Sequence, residues 1–238
     1  MALCCESRRL CREITVDLLL IGPLVNEHQL LIFDLDGTIS DPTIGIGRSI
    51  NHALAAFDYP AVHEQTISQC IGPPLDFAFR RIAPAASEDT ILGMVAKYRE
   101  RYGEVGYAEN VVYAGVPDAL EYLATLGVPM GVCTSKRVDF AERILELFRL
   151  RNYFEFVSGG DIGVRKDDQL RVLLEQRAAD QSSVMIGDRA VDVVAAKANG
   201  LRSVGVLWGH GSLLELRGAA PDRLLEVPGE LKSLAEAV

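Results

Sequence analysis

The sequence predicts an α/β protein, with a Rossmann-like, doubly wound parallel sheet as its core and an all-helical cap inserted into it. Two observations predict this fold. From residue 113 onward, short apolar runs alternate with helical segments, the βαβα order of a doubly wound sheet. Before that part, a long stretch with helical periodicity follows the first apolar run. At 238 residues, 49% of them hydrophobic, the chain can bury a core of this size.

The first strand and the insert follow from the apolar pattern. Residues 30–33 form a continuous apolar run, as expected for a strand buried on both faces. Helical spacing then recurs in two groups, Ile46, Ile50, Leu54 and Phe57, then Ile91, Met94, Val95 and Tyr98. Between them, IGPPL at 71–75 is a break that no helix interior tolerates. Residues 45–112 are therefore predicted to be a cap between two parts of the catalytic core, 29–44 and 113–238.

The remaining elements alternate to a last predicted core strand. In order, they are a helix that Pro117 and Asp118 start, a strand at 128–132, a helix at 139–147, a strand at 154–158, a helix at 169–177, a strand at 183–186, a helix at 190–199 and a strand at 203–207. Gly127 and Gly200 follow the first and last of these helices, and glycine is the usual residue just past a helix end.

Charge and cysteine content exclude several classes of protein. The net charge of −9 argues against nucleic acid or an anionic membrane as partner. Five cysteines without a paired framework indicate reduced thiols in the cytoplasm. The apolar stretch at 16–25 contains Asp17 and Pro23 and is too short for an anchor, so residues 1–28 are interpreted as an N-terminal extension without assigned order. The sequence indicates no oligomeric state.

Polar residues suited to phosphate chemistry lie close to every predicted core strand except the last. They are Asp34 and Asp36, then Thr134 and Ser135, then Lys166, and finally Asp188 and Asp192. In doubly wound sheets the ligand lies outside the carboxyl ends of the strands, so these residues should meet there. Each alone has an ordinary structural interpretation, such as a DG turn or a solvated lysine. Together, in this order, they favour a phosphoryl-transfer site.

An EF-hand calcium loop is the alternative interpretation of DLDGT. If Asp34 is the first loop position, the sixth position must be glycine and the twelfth glutamate. The chain has Ile39 and Gly45 there, so this interpretation fails.

The four motifs resemble those of the haloacid dehalogenase superfamily of phosphohydrolases, from residue 30 to the end. DLDGT, CTS, the lysine and GDRAVD match its motifs in order, and the insert is similar to the cap of phosphoglycolate phosphatase and 5′-nucleotidase-like members. The resemblance implies a Mg²⁺-dependent phosphatase for a small soluble phosphorylated metabolite. It ranks a nucleoside 5′-monophosphate first and phosphoglycolate second.

The same resemblance assigns roles to the four acids. Asp34 would attack phosphorus and carry an aspartyl-phosphate, which splits a slow hydrolysis into two easier displacements. Asp36 would protonate the leaving alcohol and then deprotonate the hydrolytic water. The Asp34 carboxylate, the Asp36 carbonyl and Asp188 would hold Mg²⁺, and Asp192 would support that site.

Phosphate binding is assigned to residues at the same edge of the sheet. They are Thr134, Ser135, Lys166, Gly37 and Thr38. Many relatives have Gly-Lys-Pro at the third motif, whereas this chain has VRKDDQ. Lys166 is therefore the choice and Arg165 the fallback. Arg48, Asn51, Arg80 and Arg81 of the cap are further candidates for contacting the substrate.

Three other functions share part of this motif pattern. Dehalogenation of 2-haloacids is disfavoured, because relatives with that activity generally lack the second aspartate. A sugar phosphomutase shares all four motifs and stays open. A phosphoacceptor signalling module without turnover also uses Asp, Thr or Ser, and Lys at a sheet edge, but such modules are about half this length.

Overall fold

The computed structural model describes residues 29–235 and confirms the predicted fold class. Its strands and helices in chain order are β1 (Leu31–Phe33), β2 (Ser40–Asp41), α1 (Thr43–Ala55), α2 (Glu64–Ser68), α3 (Leu75–Ile82), α4 (Glu88–Glu104), β3 (Val111–Val112), α5 (Val116–Thr125), β4 (Met130–Thr134), α6 (Val138–Leu147), β5 (Val157–Gly159), α7 (Lys166–Glu175), β6 (Val184–Gly187), α8 (Ala190–Ala198), β7 (Arg202–Val206), α9 (Leu213–Ala219) and β8 (Arg223–Leu225).

Six of these strands form one parallel sheet within the described residues, in the order β5-β4-β1-β6-β7-β8. Strand β1 lies between β4 and β6, with Leu31 opposite Met130 on one side and Val184 on the other. The chain therefore extends the sheet first to one side of β1 and then to the other. In such sheets ligands bind at the carboxyl end of the strand where the direction reverses, which here is β1.

The sheet is buried on both faces. Leu31 and Phe33 pack into one hydrophobic cluster with residues of α5 and α6, and Ile32 packs into another with residues of α7 and α8. All three side chains are fully buried. Alternate residues of a strand face opposite sides, so the continuous apolar run predicted this two-sided burial.

Helices α1 to α4 pack around a hydrophobic cluster of their own, with Phe140 of α6 as its contribution from the core. A two-stranded antiparallel ribbon joins this cap to the core, with Ser40 of β2 opposite Val112 of β3. The ribbon was not predicted, because strands of two residues carry no periodic signal. The separate cluster supports a cap at residues 45–112, and that domain division stays a proposal.

The sequence prediction differs from the structure at several places in the core, and the strand predicted at 128–132 lies at Met130–Thr134. The strand predicted at 154–158 is β5, which lies at Val157–Gly159. Phe154 is not part of it, because its ring is buried by edge-on packing against Phe33, with ring centroids 6.0 Å apart. Helix α7 begins at Lys166, so this residue is the first of the helix and not part of the preceding loop. Helix α9 and strand β8 extend the core beyond its last predicted strand.

The interpretation of residues 1–28 as an N-terminal extension concerns a part of the chain that lies outside the described residues. Within residues 29–235, no helix is long and apolar enough to cross a membrane.

Candidate active site

The loop after β1 holds the two aspartates of the first motif in fixed positions. The Asp34 backbone N–H donates to the Ile186 carbonyl of β6 at 2.8 Å, and the Leu35 N–H donates to Asp34 Oδ1 at 2.8 Å. The Gly37 N–H donates to the Ser40 carbonyl at 2.8 Å and turns the chain back. Both aspartate side chains are buried. The sheet edge therefore fixes where each carboxylate lies.

Gly37 and Asp188 approach each other closely across the end of the sheet. Gly37 has a φ of +88°, and a Cβ atom there would lie 2.2 Å from Asp188 Oδ2. Only glycine combines that backbone angle with the space that Asp188 needs. Neighbouring Thr38 is buried, and its carbonyl accepts from Trp208 Nε1 at 3.0 Å. Gly37, one of the residues that the sequence analysis assigns to phosphate binding, thus lies against the acid of the fourth motif.

Lys166 brings a buried positive charge to these acids. Its side chain is fully buried, with Nζ 3.1 Å from Asp34 Oδ2 and hydrogen-bonded to Asp192 Oδ1. Burial lowers the pKa of Lys166, but the Asp192 and Asp34 carboxylates outweigh it and raise that pKa above its usual value. Arg165, the fallback, is exposed and pairs with Asp167 at 2.9 Å. The structure therefore places Lys166, and not Arg165, at the site.

Asp34, Asp188 and Asp192 form a compact acidic group, with one carboxylate oxygen of each within 4.8 Å of the others. Burial raises the pKa of Asp188 well above its usual range and that of Asp192 to about 6, and the neighbouring carboxylates add to both shifts. Lys166 supplies one positive charge against these three acids. The group therefore lacks compensating positive charge, which a divalent cation would supply.

The donors of this group fit Mg²⁺, which prefers carboxylate, carbonyl and water oxygens. Asp188 Oδ1 is buried and has no hydrogen-bond partner among residues 29–235, while Oδ2 accepts the His210 N–H at 2.7 Å. Asp192 already uses both oxygens, one for Lys166 and the other for the Arg189 N–H at 3.0 Å. This geometry favours direct ligation by Asp188 and a supporting role for Asp192, both of which stay predictions.

Thr134 and Ser135 line the same cleft as Asp34 and Asp36. Thr134 is the last residue of β4, and its Oγ1 accepts the Lys136 N–H at 3.3 Å. The predicted hydroxyls and the four predicted acids thus gather at one edge, as the strand order required.

The sequence analysis missed Lys136, whose Nζ lies 2.8 Å from Asp36 Oδ2. Burial raises the pKa of Asp36, and the Lys136 ammonium lowers it only part of the way back. The two aspartates of the first motif therefore have different cations, Lys166 for Asp34 and Lys136 for Asp36. The signal was available, because Lys136 follows the CTS motif directly at a strand end.

The last predicted core strand also brings a polar group to the site, contrary to the sequence analysis. His210 follows β7 and donates its backbone N–H to Asp188 Oδ2. Every residue except proline has a backbone N–H, so the residue type does not indicate which N–H will bind a carboxylate. Side-chain patterns therefore did not predict this contact.

The cap covers the cleft with mainly apolar and aromatic side chains. Those that line it are Ile46, Cys70, Leu75, Tyr98 and Tyr102. Arg99 of the cap and Arg137 of the core also line it, and each pairs with an acid, Asp161 and Asp139 respectively.

The cap residues proposed from sequence do not line this cleft. Arg48 pairs with Glu109 at 2.6 Å and Arg80 with Glu88 at 2.6 Å. Asn51 exchanges hydrogen bonds with the backbone of Val62, and Arg81 binds Gln69. Their polar groups are used within the cap, so the structure does not support these four residues as substrate contacts.

A family model described as haloacid dehalogenase-like hydrolase matches residues 31–206. A 5′-nucleotidase of Pseudomonas aeruginosa is 35% identical over 211 residues, 87% of this chain and 95% of the relative. A phosphoglycolate phosphatase of Pectobacterium atrosepticum is 32% identical over 207 residues, 82% of this chain and 87% of the relative.

A third relative carries a different activity in its name. The tyrosine-protein kinase PtkA of Mycobacterium tuberculosis is 35% identical over 187 residues, which is 77% of this chain and 63% of the kinase. The match thus spans less than two thirds of that relative. Among solved structures, a protein described as a predicted phosphatase from Clostridium acetobutylicum has a TM-score of 0.82 at 32% identity, covering 88% of this chain and 99% of that one.

Proposed function

Because this chain belongs to the haloacid dehalogenase-like hydrolase family, we propose that it hydrolyses a small phosphomonoester with Mg²⁺ through an aspartyl-phosphate on Asp34. The predicted enzyme class, a hydrolase of phosphoric monoesters, agrees with the family and with the phosphatase relatives. One observation carries the proposal. Asp34 and Asp36 lie in one loop but each pairs with its own lysine, as expected for two carboxylates with different tasks.

In the first step Asp34 attacks phosphorus, so that a bond from its carboxylate oxygen forms while the ester P–O bond breaks. Asp36 gives its proton to the leaving oxygen. Lys166 reduces the repulsion between the carboxylate and the phosphate, because its ammonium lies 3.1 Å from Asp34. The Thr134 hydroxyl, which lines the cleft with Asp34, would bind a phosphoryl oxygen.

In the second step Asp36, now ionised, takes a proton from water as the water oxygen attacks phosphorus. The acyl-phosphate bond breaks, inorganic phosphate leaves and the Asp34 carboxylate is restored. When bound by Asp34, the Asp36 carbonyl and Asp188, Mg²⁺ would supply positive charge for the phosphoryl oxygens. Burial raises the pKa of Asp36, which is the direction that its proposed role as the acid requires.

The lining of the cleft favours a substrate whose leaving group carries no charge. Among residues 29–235, each cation that lines the cleft with the aspartates already pairs with a carboxylate: Arg99 with Asp161, Lys136 with Asp36 and Arg137 with Asp139. A substrate with a second anion would have to displace one of these pairs. The aromatic and aliphatic lining suits a ring system, so we rank a nucleoside 5′-monophosphate before phosphoglycolate.

Two further parts of the proposal concern alternatives and location. The phosphatase relatives do not favour a phosphomutase or a phosphoacceptor module.

We keep the cytoplasm as the predicted location. The two described cysteines, Cys70 and Cys133, are free and buried, in agreement with the reduced thiols on which that prediction rests.

The substrate ranking predicts a clear preference. We expect kcat/KM for a nucleoside 5′-monophosphate to exceed that for phosphoglycolate by at least about 10-fold, the lower end of what one matched or mismatched group gives. Phosphate release from both substrates under identical conditions measures it, with ribose 5-phosphate to isolate the contribution of the base. Equal or reversed values would show that the cleft does not select against a second anion.

Removal of divalent cations should abolish turnover and lower stability. Exhaustive chelation removes the charge of the metal, so that Lys166 alone would compensate the three buried acids. Both phosphate release and the unfolding temperature should therefore fall, and added Mg²⁺ should restore them. In Asp188→Asn the stabilisation by Mg²⁺ should be lost. Full turnover after chelation, or unchanged stabilisation in the variant, would argue against a metal at this site.

Asp36→Asn should distinguish the acid–base group from the nucleophile. We expect turnover of an alkyl phosphate to fall by about 10²–10⁴-fold, the usual contribution of general acid–base catalysis. An aryl phosphate should be affected less, because its leaving group scarcely needs a proton. Steady-state rates on one ester of each kind test this, with circular dichroism to verify the fold. An equal loss on both esters would assign Asp36 to another task.

A further inference from the structure

The strongest unassigned feature is the set of contacts around Lys136. Its Nζ lies 2.8 Å from Asp36 Oδ2, and it donates a hydrogen bond of 2.8 Å to the Tyr102 hydroxyl. The same ammonium lies 4.5 Å from the centre of the Tyr102 ring. Tyr102 belongs to α4 of the cap, whereas Asp36 and Lys136 belong to the core. One buried cation thus joins a predicted acid–base group to the cap.

These contacts continue into the ribbon that connects the cap to the core. The Tyr102 hydroxyl accepts from Asn110 Nδ2 at 3.2 Å, and Asn110 Oδ1 accepts from Ser40 Oγ at 3.1 Å. The Ser40 carbonyl in turn accepts the Gly37 N–H, next to Asp36. All of these side chains are buried. The network therefore runs from the catalytic loop through the cap and back to that loop.

Asp36 depends on this network for its orientation. Its Oδ1 is buried and has no hydrogen-bond partner among the described residues, so Lys136 is the side chain that fixes the carboxylate there. A lysine side chain has four rotatable bonds and needs fixing itself. Tyr102 fixes it twice, through the hydroxyl and through the face of the ring. If the cap moves away, Lys136 loses both contacts.

We propose that Lys136 is a positioning residue that holds Asp36 in its acid–base orientation only while α4 keeps Tyr102 against it. This inference rests on the proposed function of Asp36. It makes leaving-group protonation depend on cap position, so the first chemical step is favoured when the cap covers the substrate. The coupling is physical and local, because one ammonium touches the aspartate and the cap tyrosine at the same time.

Two other roles for Lys136 make different predictions. A lysine that bound the phosphoryl group would matter equally for every phosphate ester. A lysine with only a structural role would change stability without changing the preference for one leaving group over another. A positioning residue for Asp36 should matter mainly for esters whose leaving group needs a proton, and its effect should depend on Tyr102.

The test uses the full chain with Mg²⁺, one alkyl and one aryl phosphate, and the variants Lys136→Met, Tyr102→Phe and their combination. We expect Lys136→Met to lower alkyl-ester turnover by about 30-fold or more, within the range of acid–base effects, and aryl-ester turnover by less than about 3-fold. Tyr102→Phe keeps the ring and should cause a smaller loss of the same kind. The double variant should match Lys136→Met alone. Lys97→Met, an exposed lysine of α4 paired with Glu100, is the control and should behave like wild type.

Several results would overturn the inference. Equal losses on both esters would assign Lys136 to phosphate binding, and multiplied losses in the double variant would show that Tyr102 does not act through Lys136. Wild-type behaviour of Lys136→Met would exclude a positioning role. If circular dichroism shows that this variant is unfolded, Tyr102→Phe and Lys136→Arg decide by the same ester comparison. A wild-type protein without turnover on either ester would instead overturn the proposed function itself.

Discussion

Asp34→Asn is expected to abolish phosphate release, with a loss of at least about 10⁴-fold, the scale seen when a catalytic nucleophile is removed. The substitution keeps the size of the side chain but removes the atom that attacks phosphorus. The fold should persist, because the acidic group loses one of three buried charges while Lys166 retains Asp192 as its partner. Phosphate release and circular dichroism measure the two parts of this prediction.

Asp168→Asn provides a matched control for that experiment. Asp168 is a half-exposed acid on α7 that pairs with Arg171 on the surface and does not line the cleft that contains Asp34 and Asp36. The same substitution there should leave turnover unchanged. Turnover near the wild-type rate in Asp34→Asn would remove Asp34 as the nucleophile.

Lys166→Met is expected to have the largest combined effect on activity and stability. It removes the cation that lies 3.1 Å from Asp34, and loss of one preorganised donor to a transition state typically costs about 10²–10³-fold in turnover. It also leaves Asp34, Asp188 and Asp192 buried without this counter-charge. Breaking a buried ion pair on one side costs about 3–5 kcal/mol of unfolding free energy.

The stability effect should depend on the metal. In the presence of a chelator the unfolding free energy of Lys166→Met should be lowest, and Mg²⁺ should restore more of it than in wild type because the acids lack other compensation. Urea unfolding with and without Mg²⁺ measures both terms. Arg165→Met is the neighbouring control: its exposed pair with Asp167 is screened by solvent, so its loss should lower the unfolding free energy far less. Equal effects of the two substitutions would contradict the structural choice of Lys166.

The sequence predicted the parts of the site that lie at strand ends. A strand buried on both faces must read as an apolar run, so β1 and the positions of Asp34 and Asp36 followed directly. Parallel strands place their carboxyl ends at one edge, which brought Thr134 and Asp188 to the same place. These predictions needed only the order of elements and not their packing.

Contacts between the cap and the core could not be predicted in the same way. Lys136 meets Tyr102 across 34 positions in the chain, and this contact depends on the orientation of α4 relative to the sheet. The cap arginines Arg48 and Arg80 were candidates by charge alone, but acids of the same cap bind them. Charge indicates that a residue needs a partner, and only the packing decides which partner it has.

The negative net charge of the chain affects how it could bind a phosphate. A chain with a net charge of −9 must bring positive charge to a phosphate locally. Under the proposed function Lys166 does so from a buried position, where an ammonium near carboxylates is less screened than one at the surface. A negative overall charge is therefore compatible with the proposed binding of a phosphate beside a buried lysine.

Trapping the covalent intermediate tests the central claim most directly. Borohydride reduces an aspartyl-phosphate to homoserine, a change that peptide mass spectrometry detects at a single residue. Protein quenched during turnover with substrate and Mg²⁺ should contain homoserine at position 34 and retain aspartate at position 36, and protein without substrate should retain both aspartates. Modification at another residue, or none during active turnover, would contradict the assignment of Asp34 as the nucleophile.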